Sequence, residues 1–270
     1  MLTYDALIEQ AKLREMPPTK IRGVLREYLH ILILKELYKT EWGRKLYFTG
    51  GTYLRMAHNL KRFSEDLDFN TESIKKAEFE SLIEKIQTEL KRTGIEFRFI
   101  FKHWENIYAA HLIFPEIEKT YGAASKYSKK EGLTIKIETN RPAWKVETES
   151  EVVSGFGEVY PCICTNKSAL FADKVDALCK KTRARHLYDI TFMLSNGFSI
   201  DRRVLSSLGI NNDPLEVIAQ RVRNFSKAEL KKQAESLRPF LFEEGEAELV
   251  ANAHQIIPAL LEKYKKRTSN

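Results

Sequence analysis

The sequence predicts an α+β fold: strands and helices mixed through the first two thirds of the chain, and helices alone in the last third. Three observations predict it. Short segments of alternating polar and apolar residues, of strand length, recur between Leu46 and Cys164. Amphipathic runs of helical period separate them. Beyond Asn166 every apolar run keeps the helical period. The 270 residues are enough for one large domain or two small ones, and 43% hydrophobic with 30% charged residues excludes a disordered chain.

Taken in order, residues 3–15 read as a helix ended by Pro17-Pro18. A longer helix over 20–40 carries Ile21, Val24, Leu25, Tyr28, Leu29, Leu32 and Leu37 at helical spacing. Residues 46–49 form a short strand that stops at Gly50-Gly51, and 52–59 turn helical. Asp66-Leu67-Asp68-Phe69-Asn70 alternates as a strand. A helix over 78–93 places Phe79, Leu82, Ile83, Ile86 and Leu90 on one face and stops at Gly94. Strands are expected over 95–101, 108–114 and 133–139, the last alternating Leu133, Ile135 and Ile137 against Thr134, Lys136 and Glu138. Residues 140–157 are polar and read as loop, and 159–164 as a further strand. Helices follow over 167–180, 185–194, 214–222, 227–236 and 246–265, with Asn196-Gly197 and Asn211-Asn212-Asp213-Pro214 as turns. Three segments result: N-terminal helices packed on the core over 1–44, an α/β core over 45–164, and a helical part over 165–270.

Composition narrows the function classes. Lys and Arg outnumber Asp and Glu by 44 to 37, a net charge of +7 that suits an anionic partner without requiring one. Three cysteines, Cys162, Cys164 and Cys179, make no disulfide framework and have no nearby ligands for zinc, so reduced structural thiols in a cytoplasmic protein are expected. The first sixteen residues hold no apolar core of a secretory signal, and the most apolar run, 28–34, is too short to span a bilayer. No membrane partner is expected.

Chemistry concentrates in Gly50-Gly51-Thr52-Tyr53-Leu54-Arg55 and in Arg62-Phe63-Ser64-Glu65-Asp66-Leu67-Asp68-Phe69. In a strand, Asp66 and Asp68 share one face. Two adjacent carboxylates repel each other, and a divalent cation resolves the conflict; Mg²⁺ (or Mn²⁺) is held by one or two carboxylates together with phosphate oxygens. A Gly-Gly turn between strand and helix lets the backbone approach an anion, and the helix start offers free N–H groups. Thr52 or Ser64 can add a hydroxyl, and Arg55 or Arg62 a cation. Either motif alone is common on surfaces without function; their conjunction, one helix apart, is far more specific.

The run GGTYLR…RFSEDLDF resembles the signature of the AbiEii/AbiGii-type, MenT-like nucleotidyltransferase toxins of the DNA polymerase β-like superfamily. A second match follows in order: Asp173-Lys174-Val175-Asp176-Ala177-Leu178, then Arg183-Ala184-Arg185-His186-Leu187-Tyr188-Asp189-Ile190, similar to the family's lysine helix and its R-D-x-Y-D helix. The resemblance covers most of 45–195. It implies a nucleotidyltransferase-type mixed sheet flanked by helices, with the lysine and the last acidic motif in the helical C-terminal part. It implies Asp66 and Asp68 as metal carboxylates, Lys174 on the triphosphate of an NTP, Asp189 orienting Lys174 or an incoming group, and Gly50, Gly51, Thr52, Arg55 and Ser64 beside the nucleotide. Superfamily members often add a third carboxylate from a later strand, and Glu138, which alternates out of the apolar face, is the candidate. One departure stands out: His186 occupies a position where the family usually has Asp, while Asp189 is retained one turn later.

The resemblance further implies an acceptor at the 3′ end of tRNA, the role of toxin in a toxin–antitoxin pair linked to abortive infection, and a cognate antitoxin protein. Two other readings remain open: nucleotidylation of a protein or small molecule, and a catalytically inactive nucleotide- or partner-binding module. His103, His111 and His254 read as surface or packing residues, and Trp42, Trp104 and Trp144 as core rather than base-stacking platforms. The basic 263–267 run reads as a solvated helix end. The loop 141–145 is a candidate contact to a nucleic-acid acceptor.

Overall fold

A computed structural model describes residues 1–105, 107–123, 131–181 and 183–268. Its contacts divide into two compact units, Met1–Thr165 and Asn166–Asn270.

The first unit runs α1 (Tyr4–Leu13), α2 (Ile21–Tyr38), β1 (Tyr47–Thr49), α3 (Gly50–His58), β2 (Asp66–Asn70), α4 (Lys76–Arg92), β3 (Arg98–Trp104), β4 (Ile107–Phe114), α5 (Ile117–Thr120), β5 (Leu133–Asn140), β6 (Thr148–Gly155) and β7 (Glu158–Thr165). The seven strands form one mixed sheet in the order β3-β4-β5-β2-β1-β7-β6. β2 runs parallel to β5 and β1 parallel to β7; the other neighbours are antiparallel. One face of the sheet is apolar. Phe48, Leu67, Phe69, Ile135, Ile137, Cys162 and Cys164 are buried there, and α3 and α4 pack on it through Tyr53 against Phe48 and Phe79 against Phe101 and Tyr108. α2 adds Val24, Leu25, Leu29, Ile33 and Leu37 to the same core.

The second unit is helical: α6 (Lys167–Lys180), α7 (Ala184–Ser195), α8 (Arg202–Ser207), α9 (Pro214–Arg223), α10 (Lys227–Leu237), α11 (Glu248–Ala251) and α12 (Ala253–Thr268). Its helix starts are written in the sequence. Asp213 caps α9 ahead of Pro214, and Ser226 with Glu229 forms a capping box on α10. Tyr264 is buried and donates its hydroxyl to the Phe198 carbonyl, and Arg267 reaches the Ser195 carbonyl at 2.8 Å. The basic C-terminal run is thus a solvated helix end, its cations exposed, that Tyr264 and Arg267 anchor.

Three expectations about elements need correction. Residues 148–155, read as loop, form the edge strand β6. Its outward positions are Thr148, Ser150, Val152 and Ser154 and its inward ones Glu149, Glu151 and Val153, so it carries no apolar alternation, and only pairing with β7 makes it a strand. The single helix expected over 246–265 breaks at Asn252, a weak helix former whose amide turns back to Glu248. Trp104, expected in the core, is 55% exposed on the edge strand β3, whereas Trp144 is buried.

Candidate active site

The site begins where β1 runs directly into α3. Gly50 and Gly51 are not a separate loop; they are the first turn of the helix. Gly50 sits at φ +81°, a conformation that favours glycine. A side chain there would stand 2.5 Å from an Asp68 carboxylate oxygen. One on Gly51 would strike the Arg62 guanidinium and lie 3.1 Å from Ser64 Oγ. The glycines therefore let the helix start approach Asp68, Arg62 and Ser64 at backbone distance. The first N–H groups of a helix have no partner inside it, and they carry its positive end.

β2 presents Asp66 and Asp68 half-buried on one face and buries Leu67 and Phe69 on the other. Register places Thr49 beside Asp68 on one side, and Lys136 beside Asp66 and Glu138 beside Asp68 on the other. Paired residues share a face, so Lys136 joins the three carboxylates. Its Nζ lies 2.9 Å from Glu138 Oε2 and 4.0 Å from Asp66 Oδ2. Burial alone acts to lower the Lys136 pKa, but the hydrogen bond with Glu138 and the charges of Asp66, Glu138 and Asp68 outweigh it, and the net shift is upward. Lys136 stays charged and balances the acidic face. A cleft of about 310 Å³ opens beside Asp66, lined among others by Arg22, Arg26, Glu65, His111 and Lys136.

The structure uses several expected site residues differently. Thr52 is buried and donates its hydroxyl to the Asp66 carbonyl, tying α3 to β2. Arg55, expected beside the nucleotide, is packed into an ion pair beneath α3. Its guanidinium is 2% exposed, its Nε lies 2.9 Å from Glu27 Oε2, and it also donates to Asn59, Leu60 and the Arg14 carbonyl. Moving it to a ligand would leave the buried Glu27 to Arg14 alone and would break the bonds to Asn59, Leu60 and the Arg14 carbonyl. Arg62 lies at the Gly51 turn beside the helix start, but it too is buried, at 3% exposure, and donates to the Phe63 carbonyl. In the 141–145 loop Arg141 bonds the Ile74 carbonyl, and Trp144 is buried.

Ligand convergence is also informative. Among the described residues, the one group of three metal-binding side chains whose ligand atoms all lie within 4.8 Å is His58, Glu149 and Glu151. Asp66, Asp68 and Glu138 do not form such a group, and Glu138 holds Lys136. The Cys162 thiol is pushed up to about 12 by burial, which makes it a poor nucleophile.

In the second unit, Lys174 on α6 and Asp189 on α7 form a buried ion pair, Nζ to Oδ2 2.9 Å, with Asp189 fully buried. His186, one turn before Asp189, is 7% exposed, and neither ring nitrogen finds a hydrogen-bond partner among the described residues. Burial first, then the Lys174 charge, lowers its pKa to about 3 against the opposing effect of Asp189. His186 is thus a neutral ring in the same buried layer as the ion pair. The residue that sequence reasoning missed is Lys136; Arg62 was offered there as an alternative cation to Arg55. The Lys136 signal was the Ile-Lys-Ile-Glu alternation, which acquires meaning only from the parallel register with β2.

No helix among the described residues is long and apolar enough to cross a membrane. No curated protein sequence matches the chain significantly. Among solved structures, the chain is similar to JHP933 from Helicobacter pylori, with 20% identity, a TM-score of 0.52 and coverage of 92% of this chain and 95% of that one. It is also similar to MenT4, a nucleotidyltransferase toxin from Mycobacterium tuberculosis H37Rv, with 16% identity, a TM-score of 0.57 and coverage of 98% and 93%. At these identities the likeness shows the fold: a mixed sheet flanked by helices, as in nucleotidyltransferase toxins. Residues 32–255 match the family described as nucleotidyl transferase AbiEii toxin, type IV toxin–antitoxin system. That match spans most of the chain and includes both motifs, so the protein belongs to the AbiEii nucleotidyltransferase toxin family of type IV toxin–antitoxin systems.

Proposed function

We propose that this nucleotidyltransferase moves a nucleoside monophosphate from an NTP to a hydroxyl at the 3′ end of tRNA, with Mg²⁺ or Mn²⁺ held by Asp66 and Asp68, and that it acts as a toxin restrained by a cognate antitoxin protein. The observation that carries the reading is the approach of the Gly50-Gly51 helix start to Asp68, with Asp66 on the same strand face. The donor chemistry fits a hard divalent cation: two half-exposed carboxylates, with room in its coordination shell for phosphate oxygens. Glu138 is proposed as a third donor, in competition with the Lys136 ammonium it now holds. When bound, the ion would offset phosphate charge and favour ionisation of the attacking hydroxyl.

The chain's own residues do the rest. The N–H groups at the start of α3, with Ser64 beside them, bind phosphate oxygens, and the buried Arg62 guanidinium behind the Gly51 turn adds positive charge. The acceptor oxygen forms a bond to the α-phosphorus while the bond from that phosphorus to the bridging oxygen breaks. The hydroxyl proton is lost, and pyrophosphate leaves with the bonding electron pair. Lys174, held in one orientation by Asp189, is proposed to neutralise charge on that leaving group.

The test is incubation of the protein with each radiolabelled NTP, Mg²⁺ and total tRNA, beside Asp66→Ala. Label on tRNA that disappears in the variant is the expected result. Label on protein or a small molecule from added extract would overturn the acceptor, and no label anywhere would overturn the reaction.

A further inference from the structure

The polar face of the sheet does not end at the carboxylates. Register carries it across β5 and β4 to the edge strand β3 in two straight rows. Asp68, Glu138, Ala109 and Lys102 make one, and Asp66, Lys136, His111 and Ile100 the other. Neighbouring strands lie about 4.8 Å apart, so three steps place Lys102 roughly 14 Å from Asp68. That is a reach of a few nucleotides of single strand.

The β3 end of these rows is built unlike an ordinary edge. α4 covers the opposite face, where Phe99, Phe101 and His103 turn inward. The outward residues are Arg98, Ile100, Lys102 and Trp104, all exposed, with Ile100 at 53% and Trp104 at 55%. Arg98 and Lys102 make no ion pair or side-chain hydrogen bond with a described residue, unlike Arg22 and Arg26, which pair with Glu118 and Glu65. An exposed tryptophan and isoleucine on a sheet edge that no described strand pairs invite association, and proteins usually cover or charge such edges. Here unpaired cations alternate with an aromatic ring on a face continuous with the candidate active site. Cations that track a backbone, interleaved with an aromatic on which a base can stack, are what single-stranded nucleic acid needs, because unpaired bases expose their faces.

We propose that the outward face of β3, with Trp104 as stacking platform and Arg98 and Lys102 as phosphate contacts, seats the single-stranded 3′ segment of the acceptor RNA and leads its terminal hydroxyl along the register rows to Asp66 and Asp68. The proposal rests on the RNA-acceptor reading above.

The experiment uses the full chain and a fluorescein-labelled single-stranded RNA oligonucleotide with a free 3′ hydroxyl. Trp104→Ala weakens binding roughly 5- to 150-fold, the span of one lost base stack. Lys102→Ala lowers the slope of log affinity against log salt by about 0.7, one lost phosphate contact on a single strand. In transfer assays both variants raise the acceptor KM and leave kcat at saturating acceptor and the NTP KM unchanged. RNA quenches the intrinsic fluorescence of the wild type but not of Trp104→Ala. Lys102→Glu, an exposed change that spares the core, gives a second route to the same loss. Wild-type chain that labels RNA while all three variants bind and react like it overturns the platform and leaves the proposed reaction standing. A blunt duplex that competes as well as the single strand also overturns it. A wild type that labels no RNA overturns the platform and the acceptor reading together.

Discussion

Replacing Gly50 by alanine tests whether the helix start is built around Asp68. Gly50 has φ +81°, and an added Cβ would lie 2.5 Å from Asp68 Oδ2 and 3.1 Å from its Cβ. Gly94 offers an internal reference: its φ is +82°, and nothing lies within 4 Å of an added Cβ. Both substitutions carry the left-handed backbone cost of about 1–2 kcal/mol. Gly50→Ala adds overpacking against Asp68, on the order of 1–3 kcal/mol. For a unit of this size each kcal/mol moves the midpoint by roughly 2–4 °C. Trp42, Trp104 and Trp144 all lie in the Met1–Thr165 unit, so thermal unfolding followed by tryptophan fluorescence reads the unit that holds both glycines. Gly94→Ala is expected to lower the midpoint by roughly 2–8 °C, and Gly50→Ala by clearly more. Asp68→Ala, which removes the carboxylate that Gly50 faces, should relieve most of the difference. A Gly50→Ala variant no less stable than Gly94→Ala, with additive behaviour in the double variant, would refute the close approach on which the site is argued.

Three further outcomes are expected. Asp189→Asn leaves Lys174 charged and poorly paired in a buried site, so α6 and α7 lose about 3–5 kcal/mol by far-UV circular dichroism in urea, while Lys174→Met with Asp189→Leu recovers most of it; equal losses in the single and double variants would contradict the pair. Arg55→Lys cannot reproduce the fork to Glu27, Asn59 and Leu60, so the midpoint falls while the NTP KM of the folded enzyme stays unchanged; a raised KM at unchanged stability would return Arg55 to the phosphate. His30 and His186 both have pKa values lowered to about 3, chiefly by burial, against 6.5 when unfolded. Between those values the unfolded chain binds more protons, so stability is full above about pH 6.5 and falls as the pH drops, by up to about 1.4 kcal/mol per pH unit for each group. His30→Gln should flatten the fluorescence-detected acid slope; an unchanged slope would show that His30 is not the group responsible.

Much of the site was legible because its signals are local. Two aspartates two residues apart share a strand face whatever surrounds them, and a Gly-Gly pair before an apolar helical run marks a close turn. The β5 alternation likewise identified Glu138 as facing away from the core. Lys136 was missed because its meaning lies in register: only the parallel pairing of β5 with β2 sets its ammonium beside Asp66 and Glu138. The ion pair of Arg55 was illegible for a related reason. Its spacing from Gly50 suits a phosphate, but α2 brings Glu27 beneath α3, and a buried carboxylate claims the nearest guanidinium.

By itself, the sequence determined the order and type of most elements, the family, and which carboxylates share a face, since each follows from periodicity over a few residues or from a short motif. Tertiary structure alone decided that 148–155 is a strand, that Trp104 faces solvent, that Arg55 pairs with a buried Glu27, and that His186 is buried with no hydrogen-bond partner among the described residues. These depend on which segments pair across long stretches of chain. Burial, charge compensation and strand register are properties of that pairing, so no local pattern encodes them.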